Sequence, residues 1–423
     1  MKKKFIFLSL IFIIVLNIFS TFALATNFIV DTSSIETLSP VALLMEANTG
    51  KVLYEKNGFE EKYPASTTKL MTAILTVENC NLDDVAKVSH TAVFSVPWDY
   101  TNAALQVDEE LTIEDLLNVL LIPSANDAGF VLAEHIAGST ESFASMMNSK
   151  AQEIGCKNTH FTNPSGIHND DHYSTAYDLA LIGRYAMQYD VIKNIVCKTS
   201  YTLPATSKYP KDDRYFVTTN SMLRESFKNY YDERVTGLKT GYTEHALDCI
   251  VSTAKQDDLE LIVVILNAGY TEAGLRQKYL DCKTLFDFGF ENYEKKEIVK
   301  ENNICNNIEV SGATKETKNL NLLYNTSIYA FVPKNFDVSK IDNNITLKDD
   351  IKAPISTGEK IGEIEYIIDE VSYKTDLIAE TDVIKSPVME IIIKTGIVFI
   401  IILIVLGLIR LMKPKKKKYK HRY

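Results

Sequence analysis

The sequence predicts an α/β domain built on an antiparallel sheet with flanking helices. A small all-β C-terminal sandwich domain and a C-terminal transmembrane helix follow it. Three observations predict this order. From Pro40 to Tyr293, strand patterns stand at both ends of a segment whose middle is helical. Residues 295–380 offer short alternating strands, such as Ile328-Tyr329-Ala330-Phe331-Val332, between turns rich in Asn, Asp and Gly. Ile397 to Met412 is almost purely aliphatic, and about 20 helical residues cross a bilayer core. A chain of 423 residues has room for all three.

The elements read in order as follows. Met1-Lys2-Lys3-Lys4, the apolar run Phe5 to Phe22, and Ala23-Leu24-Ala25 describe a secretory signal over 1–25, with an uncleaved anchor as the alternative. Val41 to Met45 and Lys51 to Tyr54 flank Glu46-Ala47-Asn48-Thr49-Gly50 as a hairpin. Leu70 to Val77, Glu114 to Leu121 and Asp127 to Ile136 are helical, and Thr175-Ala176-Tyr177-Asp178 reads as a capping box. Leu247 to Ala254 and Leu259 to Leu266 pair as strands, and Glu272 to Phe286 closes the 26–293 domain as a helix. The β domain occupies 295–380, a short linker runs from Glu380 to Pro387, and the span covers 388–412. The tail 413–423 is strongly basic, which puts it in the cytoplasm and the body of the chain outside the cell membrane.

Charge excludes one class of partner. The chain carries 45 basic and 55 acidic residues. Setting aside the basic residues of the leader and of 410–423 leaves 34 against 55, a balance of −21. An acidic exported body argues against nucleic acid. The six cysteines show neither C-x-x-C nor a Cys-His zinc spacing and are read as mostly free, buried thiols. His168-Asn169-Asp170-Asp171-His172 is dense enough for a metal, but it reads as a loop; no metal and no cofactor are expected.

Three motifs carry the chemistry: Ser66-Thr67-Thr68-Lys69, Ser124-Ala125-Asn126 and Lys239-Thr240-Gly241. In this order they form a serine acyl-transfer signature. Singly they mean little, since Ser252-Thr253-Ala254-Lys255 and Lys394-Thr395-Gly396 match two of them by chance. Lys69 lies one helical turn from Ser66 among Leu70, Met71, Ala73 and Ile74. Desolvation there lowers its pKa, so a neutral amine can take the Ser66 proton. Ser124 can relay a proton and Asn126 can hold a peptide backbone. Lys239 and Thr240 suit a carboxylate, and Gly241 lets a substrate lie against the strand. The backbone N–H groups of Ser66 and Tyr242 can hold an oxyanion.

These motifs resemble those of the low-molecular-mass penicillin-binding proteins, the D-alanyl-D-alanine carboxypeptidases of the serine peptidase S11 type. Asn48-Thr49-Gly50-Lys51-Val52-Leu53-Tyr54, Phe161-Thr162-Asn163-Pro164-Ser165-Gly166, His172 to Ala180 and Gly237 to Thr243 are also similar to that family, across roughly residues 38–382. The resemblance implies a penicillin-binding (β-lactamase-like) fold, with Ser66 as nucleophile, Lys69 as general base and Ser124 assisting proton transfer. It implies that Asn126, Lys239 and Thr240 bind substrate. Peptidoglycan stem peptides are then the substrates and β-lactam antibiotics the covalent inhibitors. One departure is Ala246-Leu247, where many members carry Ala-Gly. Another is a C-terminal stretch that reads as spanning the membrane rather than lying on it. The alternatives are a D,D-endopeptidase, a β-lactamase using Glu225-Ser226-Phe227-Lys228-Asn229, and a non-catalytic wall-binding protein.

Overall fold

A computed structural model describes residues 30–33, 35–369 and 371–412, so the leader and the basic tail lie outside the described residues. The chain divides into two compact units, one of residues 29–295 and one holding residues 296–423.

In the first unit β1 (Val41–Glu46) and β2 (Val52–Lys56) form the hairpin. Short ladders join β3 (Val85–Lys87) to β4 (Glu110–Thr112) and β5 (Ser200–Leu203) to β6 (Arg214–Val217). β7 (Val235–Thr243), β8 (Leu247–Gln256) and β9 (Leu259–Ala268) complete an antiparallel sheet ordered β2-β1-β9-β8-β7. The helices are α1 (Lys69–Asn79), α2 (His90–Phe94), α3 (Ile113–Leu121), α4 (Asn126–Ala137), α5 (Thr140–Ile154), α6 (Ala176–Ala186), α7 (Asp190–Val196) and α8 (Gln277–Asn292).

β9 reads as a continuous aliphatic run because both of its faces are covered. Successive side chains on a strand point to opposite faces. Gly289 of α8 backs onto Leu261 and Leu44, whereas Gly183 of α6 backs onto Ile262 and Val251. The two helices therefore cover opposite sides of one sheet, each brought close by a missing side chain. α1 is buried all round from Lys69 to Thr76, the mark of a central helix.

In the second unit β10 (Tyr293–Val299) pairs with β13 (Ile328–Pro333). β11 (Ile304–Glu309), β12 (Asn319–Tyr324), β14 (Asn343–Leu347), β15 (Lys360–Ile368) and β16 (Val371–Ala379) form a five-stranded sheet ordered β11-β12-β16-β15-β14. Val299, Val332, Leu322, Ile364 and Leu377 share one core, so both sheets bury the same apolar surface. α9 (Pro387–Met412) contains the 20-residue stretch Ile391–Arg410, with mean hydropathy 3.0. Among the described residues it is the one helix long and apolar enough to cross a membrane.

Four local expectations meet a different outcome. α8 begins at Gln277 rather than Glu272, because Thr271 to Leu275 closes a turn through Gly274 at φ +74°. The capping box is half formed. Thr175 Oγ1 accepts from the Asp178 amide at 3.0 Å, but the Asp178 carboxylate turns away to the amides of Lys157 and Asn158. The 380–387 segment is no free linker: Val383 bridges to Ile355, and Lys385 bridges to Ala313. All six cysteines are free, but only Cys156, Cys249 and Cys282 are buried.

Leu247 explains how the β7–β8 turn forms without a glycine. Thr243 pairs with Leu247 across a three-residue loop, a geometry that wants a left-handed residue after the turn. Leu247 adopts φ +54° to supply it. A left-handed side-chain residue costs about 1–2 kcal/mol, part of which a glycine gives back as chain entropy. Leu247→Gly should therefore stabilise the fold by about 0.5–1 kcal/mol, seen as a raised Tm in calorimetry.

Candidate active site

Ser66 lies in a 3-10 turn (Ala65–Thr68) that runs straight into α1. Lys69, the first residue of that helix, is fully buried. Its Nζ lies 2.8 Å from Ser66 Oγ, 2.8 Å from Asn126 Oδ1 and 2.7 Å from the Ser165 carbonyl oxygen. No carboxylate is among these partners. Burial first, and repulsion from Lys239 second, hold the Lys69 pKa well below 10.5. Asn126 Oδ1 and the Ser165 carbonyl can only accept. A neutral amine therefore spends its two N–H groups on them. Its lone pair then faces the Ser66 hydroxyl, the one partner able to donate.

β7 forms the facing wall. A Cβ on Gly241 would come 2.9 Å from the Ser66 amide nitrogen and 3.1 Å from the Pro64 carbonyl. The strand therefore runs against the serine's own backbone at a place where it lacks a side chain. Lys239 is buried and donates to the Thr240 carbonyl at 3.0 Å. Burial, with the charge of Lys278 second, lowers its pKa to about 7. Thr240 Oγ1 meets Thr219 Oγ1 at 2.6 Å.

The loop Thr162 to His172 closes the back. A Cβ on Gly166, at φ +77°, would fall 1.8 Å from the Ala65 carbonyl oxygen. Asn163 Oδ1 accepts from the amides of Ser165, Gly166 and Ile167, which aims the Ser165 carbonyl at Lys69. His172 Nδ1 accepts from the Thr162 amide at 3.1 Å, so Nε2–H donates to Thr68 Oγ1 at 2.9 Å. Burial drives its pKa down to about 3 and keeps it neutral. Among the described residues no group of three or more His, Cys, Asp or Glu could hold a metal ion.

The three motifs thus come together, with one qualification of geometry. Ser124 is buried at φ +72° in the turn before α4, but Lys69 bonds Ser66, Asn126 and Ser165 and not Ser124. Ala65 at φ +49° is the second non-glycine in the left-handed region here, and such strain clusters at functional sites. Asn126 is committed at both ends of its amide, since Nδ2 donates to the Thr101 carbonyl at 2.7 Å. Tyr242 pairs with Asp248 in the ladder to β8. Glu225 and Asn229 are exposed. Three contributors went unread in the sequence. The Ser165 carbonyl and the Asp127 carboxylate, which accepts from the Ala103 and Leu105 amides, act through backbone and show no chemical motif. Thr219 is a lone hydroxyl among many.

Comparison with known proteins gives consistent relatives. The family described as D-alanyl-D-alanine carboxypeptidase (peptidase S11) matches residues 28–269. The C-terminal domain of penicillin-binding protein 5 matches residues 293–385. D-alanyl-D-alanine carboxypeptidase DacF of Bacillus subtilis is 32% identical over 350 residues, 82% of this chain and 86% of that protein. DacC of Escherichia coli is 28% identical, over 77% of this chain and 78% of its own. Penicillin-binding protein 5 from Haemophilus influenzae covers 84% of this chain and 100% of its own, at 25% identity and TM-score 0.61. The Streptomyces K15 DD-transpeptidase covers 60% of this chain and 98% of its own, at 28% identity and TM-score 0.54.

Gly241→Ala should separate site geometry from fold. Its methyl group has to displace the Ser66 amide, whereas the rest of β7 keeps its ladder. The expected outcome is about a 10²-fold loss in acylation of Ser66, measured by stopped intact-mass analysis, with the melting transition little changed.

Proposed function

We propose, for a chain that belongs to the D-alanyl-D-alanine carboxypeptidase family of S11 serine peptidases, that it removes the terminal D-alanine from peptidoglycan stem pentapeptides through an acyl-enzyme on Ser66. One observation carries the reading: a fully buried Lys69 amine, with no carboxylate among its hydrogen-bond partners, lies 2.8 Å from Ser66 Oγ. That amine takes the hydroxyl proton as Oγ attacks the carbonyl of the penultimate residue. The developing oxyanion is held by the N–H groups of Ser66 and Tyr242. The proton returns through Ser124 to the departing D-alanine nitrogen, and water then hydrolyses the ester. Lys239 and Thr240 receive the terminal carboxylate, Gly241 gives the peptide a flat edge, and Asn126 both orients Lys69 and faces the peptide backbone. A β-lactam acylates the same serine, with no metal or cofactor required by these steps.

The rivals differ in what they require of these residues. A β-lactamase needs a second base to hydrolyse the acyl-enzyme rapidly, and Glu225 lies exposed on the surface. A wall-binding protein gains nothing from burying an amine beside a hydroxyl, which is costly unless it serves chemistry. A D,D-endopeptidase uses the same steps on a cross-linked substrate. Attachment follows from α9, which suits a membrane anchor. The basic residues after it favour a cytoplasmic C-terminus and an extracellular catalytic unit.

Incubating the full-length protein with an acyl-pentapeptide should release D-alanine, and Ser66→Ala should abolish that release. Benzylpenicillin should leave a persistent adduct on the wild type and none on Ser66→Ala. D-alanine release without an adduct contradicts the shared serine. A cross-linked dimer cleaved in preference to the pentapeptide favours the endopeptidase. The neutral form of Lys69 is the active one, so its contribution to acylation should be lost as pH falls through its depressed pKa, which lies well below 10.5.

A further inference from the structure

The chain's single tryptophan stands in water. Trp98 is 94% exposed, and its indole has no hydrogen bond or ring contact among the described residues. Phe94, four residues earlier, is 69% exposed. Tryptophan carries a large apolar surface, and a soluble protein leaves it bare mainly where function needs it. Local structure holds it out. The Tyr100 amide donates to the Pro97 carbonyl at 3.0 Å, closing a turn with Trp98 and Asp99 at its two central positions. The Asp99 carboxylate is exposed and likewise has no hydrogen-bond or ion-pair partner among the described residues.

The turn is built onto the site. One residue after it, the Thr101 carbonyl accepts from the Asn126 backbone amide at 2.9 Å and from Asn126 Nδ2 at 2.7 Å. Asn126 Oδ1 is in turn 2.8 Å from Lys69 Nζ, which is 2.8 Å from Ser66 Oγ. Asp127 fixes the strap further along, at the Ala103 and Leu105 amides. The turn therefore projects from a segment pinned to the residue that faces the substrate backbone in the reading above. Charge points the same way. From Val88 to Ser149 the sequence holds no Lys or Arg. Asp108 pairs with Lys87, Glu109 with Arg214 and Asp127 with backbone amides, which leaves Asp99 free to meet a cation from outside. Breaking a local rule with no gain to the fold marks a functional demand.

We propose that Trp98 and Asp99 form a specificity subsite for a substrate ammonium group: the free side-chain amine of the diamino acid that precedes D-alanyl-D-alanine in an uncross-linked stem peptide. This rests on the carboxypeptidase reading above. An ammonium over an indole face is drawn by the ring quadrupole, and Trp is the strongest of the aromatic partners. An adjacent carboxylate adds to the pull. The lengths are compatible. A chain spans at most about 3.6 Å per residue, so Trp98 lies within about 11 Å of Thr101. The side-chain amine of the residue two before the terminal D-alanine extends about 10 Å from the attacked carbonyl. Cross-linking at that amine turns it into an amide and removes its charge, so the subsite favours stems not yet joined over joined ones. It sets preference and touches none of the reacting atoms.

The test uses the full-length protein in detergent and two peptides: Nα-acetyl-L-Lys-D-Ala-D-Ala, which keeps the amine, and its Nα,Nε-diacetyl form, which does not. The wild type should release D-alanine from the first with a kcat/KM about fivefold higher, chiefly through KM. Trp98→Ala and Asp99→Asn should each cut that ratio to below about twofold, and Trp98→Phe should keep part of it. The diacetyl peptide and benzylpenicillin, which lack the cation, should react within about twofold of wild type in all three variants. Because Trp98 is the only tryptophan, its emission reports binding directly. In Ser66→Ala the amine-bearing peptide should shift that emission and the diacetyl peptide should not. An unchanged ratio in Trp98→Ala, or a parallel loss of both peptides and benzylpenicillin, overturns the proposal. Quenching of Trp98 by brominated phospholipid in vesicles carrying the protein, with the peptide ratio untouched by the variants, assigns the indole to the membrane and also overturns it. Equal release from both peptides by the wild type overturns the subsite alone. Release from neither overturns the carboxypeptidase reading and takes the subsite with it.

Discussion

The site is organised by the burial of one amine with no carboxylate among its hydrogen-bond partners, where the charge of Asp127 offsets burial only in part. Lys69 starts a helix, where the backbone field disfavours a cation, and it lies beneath the surface, where water cannot solvate one. Three oxygens meet its nitrogen and none belongs to a carboxylate. A surface lysine keeps its proton; this one is placed to give it up. Because two of the three oxygens can only accept, surrendering the proton also orients the lone pair. Burial thus sets both the basicity of the group and its direction.

Holding that amine in place demands more of the fold than the motif shows. The Ser165 carbonyl is aimed by Asn163, whose single side-chain oxygen gathers three successive amides. Gly166 and Gly241 let two separate chain segments close on Ala65 and Ser66 from different sides. Asp127 holds the stretch from Ala103 to Leu105 with one buried carboxylate, and Thr101 in turn fixes Asn126. Each contact is ordinary. Their sum is a serine hydroxyl with one available acceptor.

What the sequence made legible follows from the range of the forces involved. Hairpins, the central helix and the aliphatic span are local patterns, so Val41–Glu46, Lys69–Asn79 and Ile391–Arg410 can be read from a few neighbouring residues. That Lys69 would meet Ser66 and Asn126 was readable because three motifs in order leave little room for chance. Backbone contributions were not, since a carbonyl such as that of Ser165 has no residue code. Lys278 escaped notice for a different reason. It is one lysine among many in the chain, and only the fold reveals that it is buried and held by Asp248. The Asp178 carboxylate teaches the same lesson on a smaller scale, since a partner distant in sequence outbid the local one.

The most direct test of this account is the protonation of Lys69 itself. Carbon-13 labelling at lysine Cε, with the Lys69 resonance identified by its loss in Lys69→Met, allows the amine to be titrated in the intact protein. The account predicts one resonance that titrates well below the 10.5 of an ordinary lysine. A Lys69 that stays protonated up to that ordinary value would leave Ser66 without a base and contradict the mechanism.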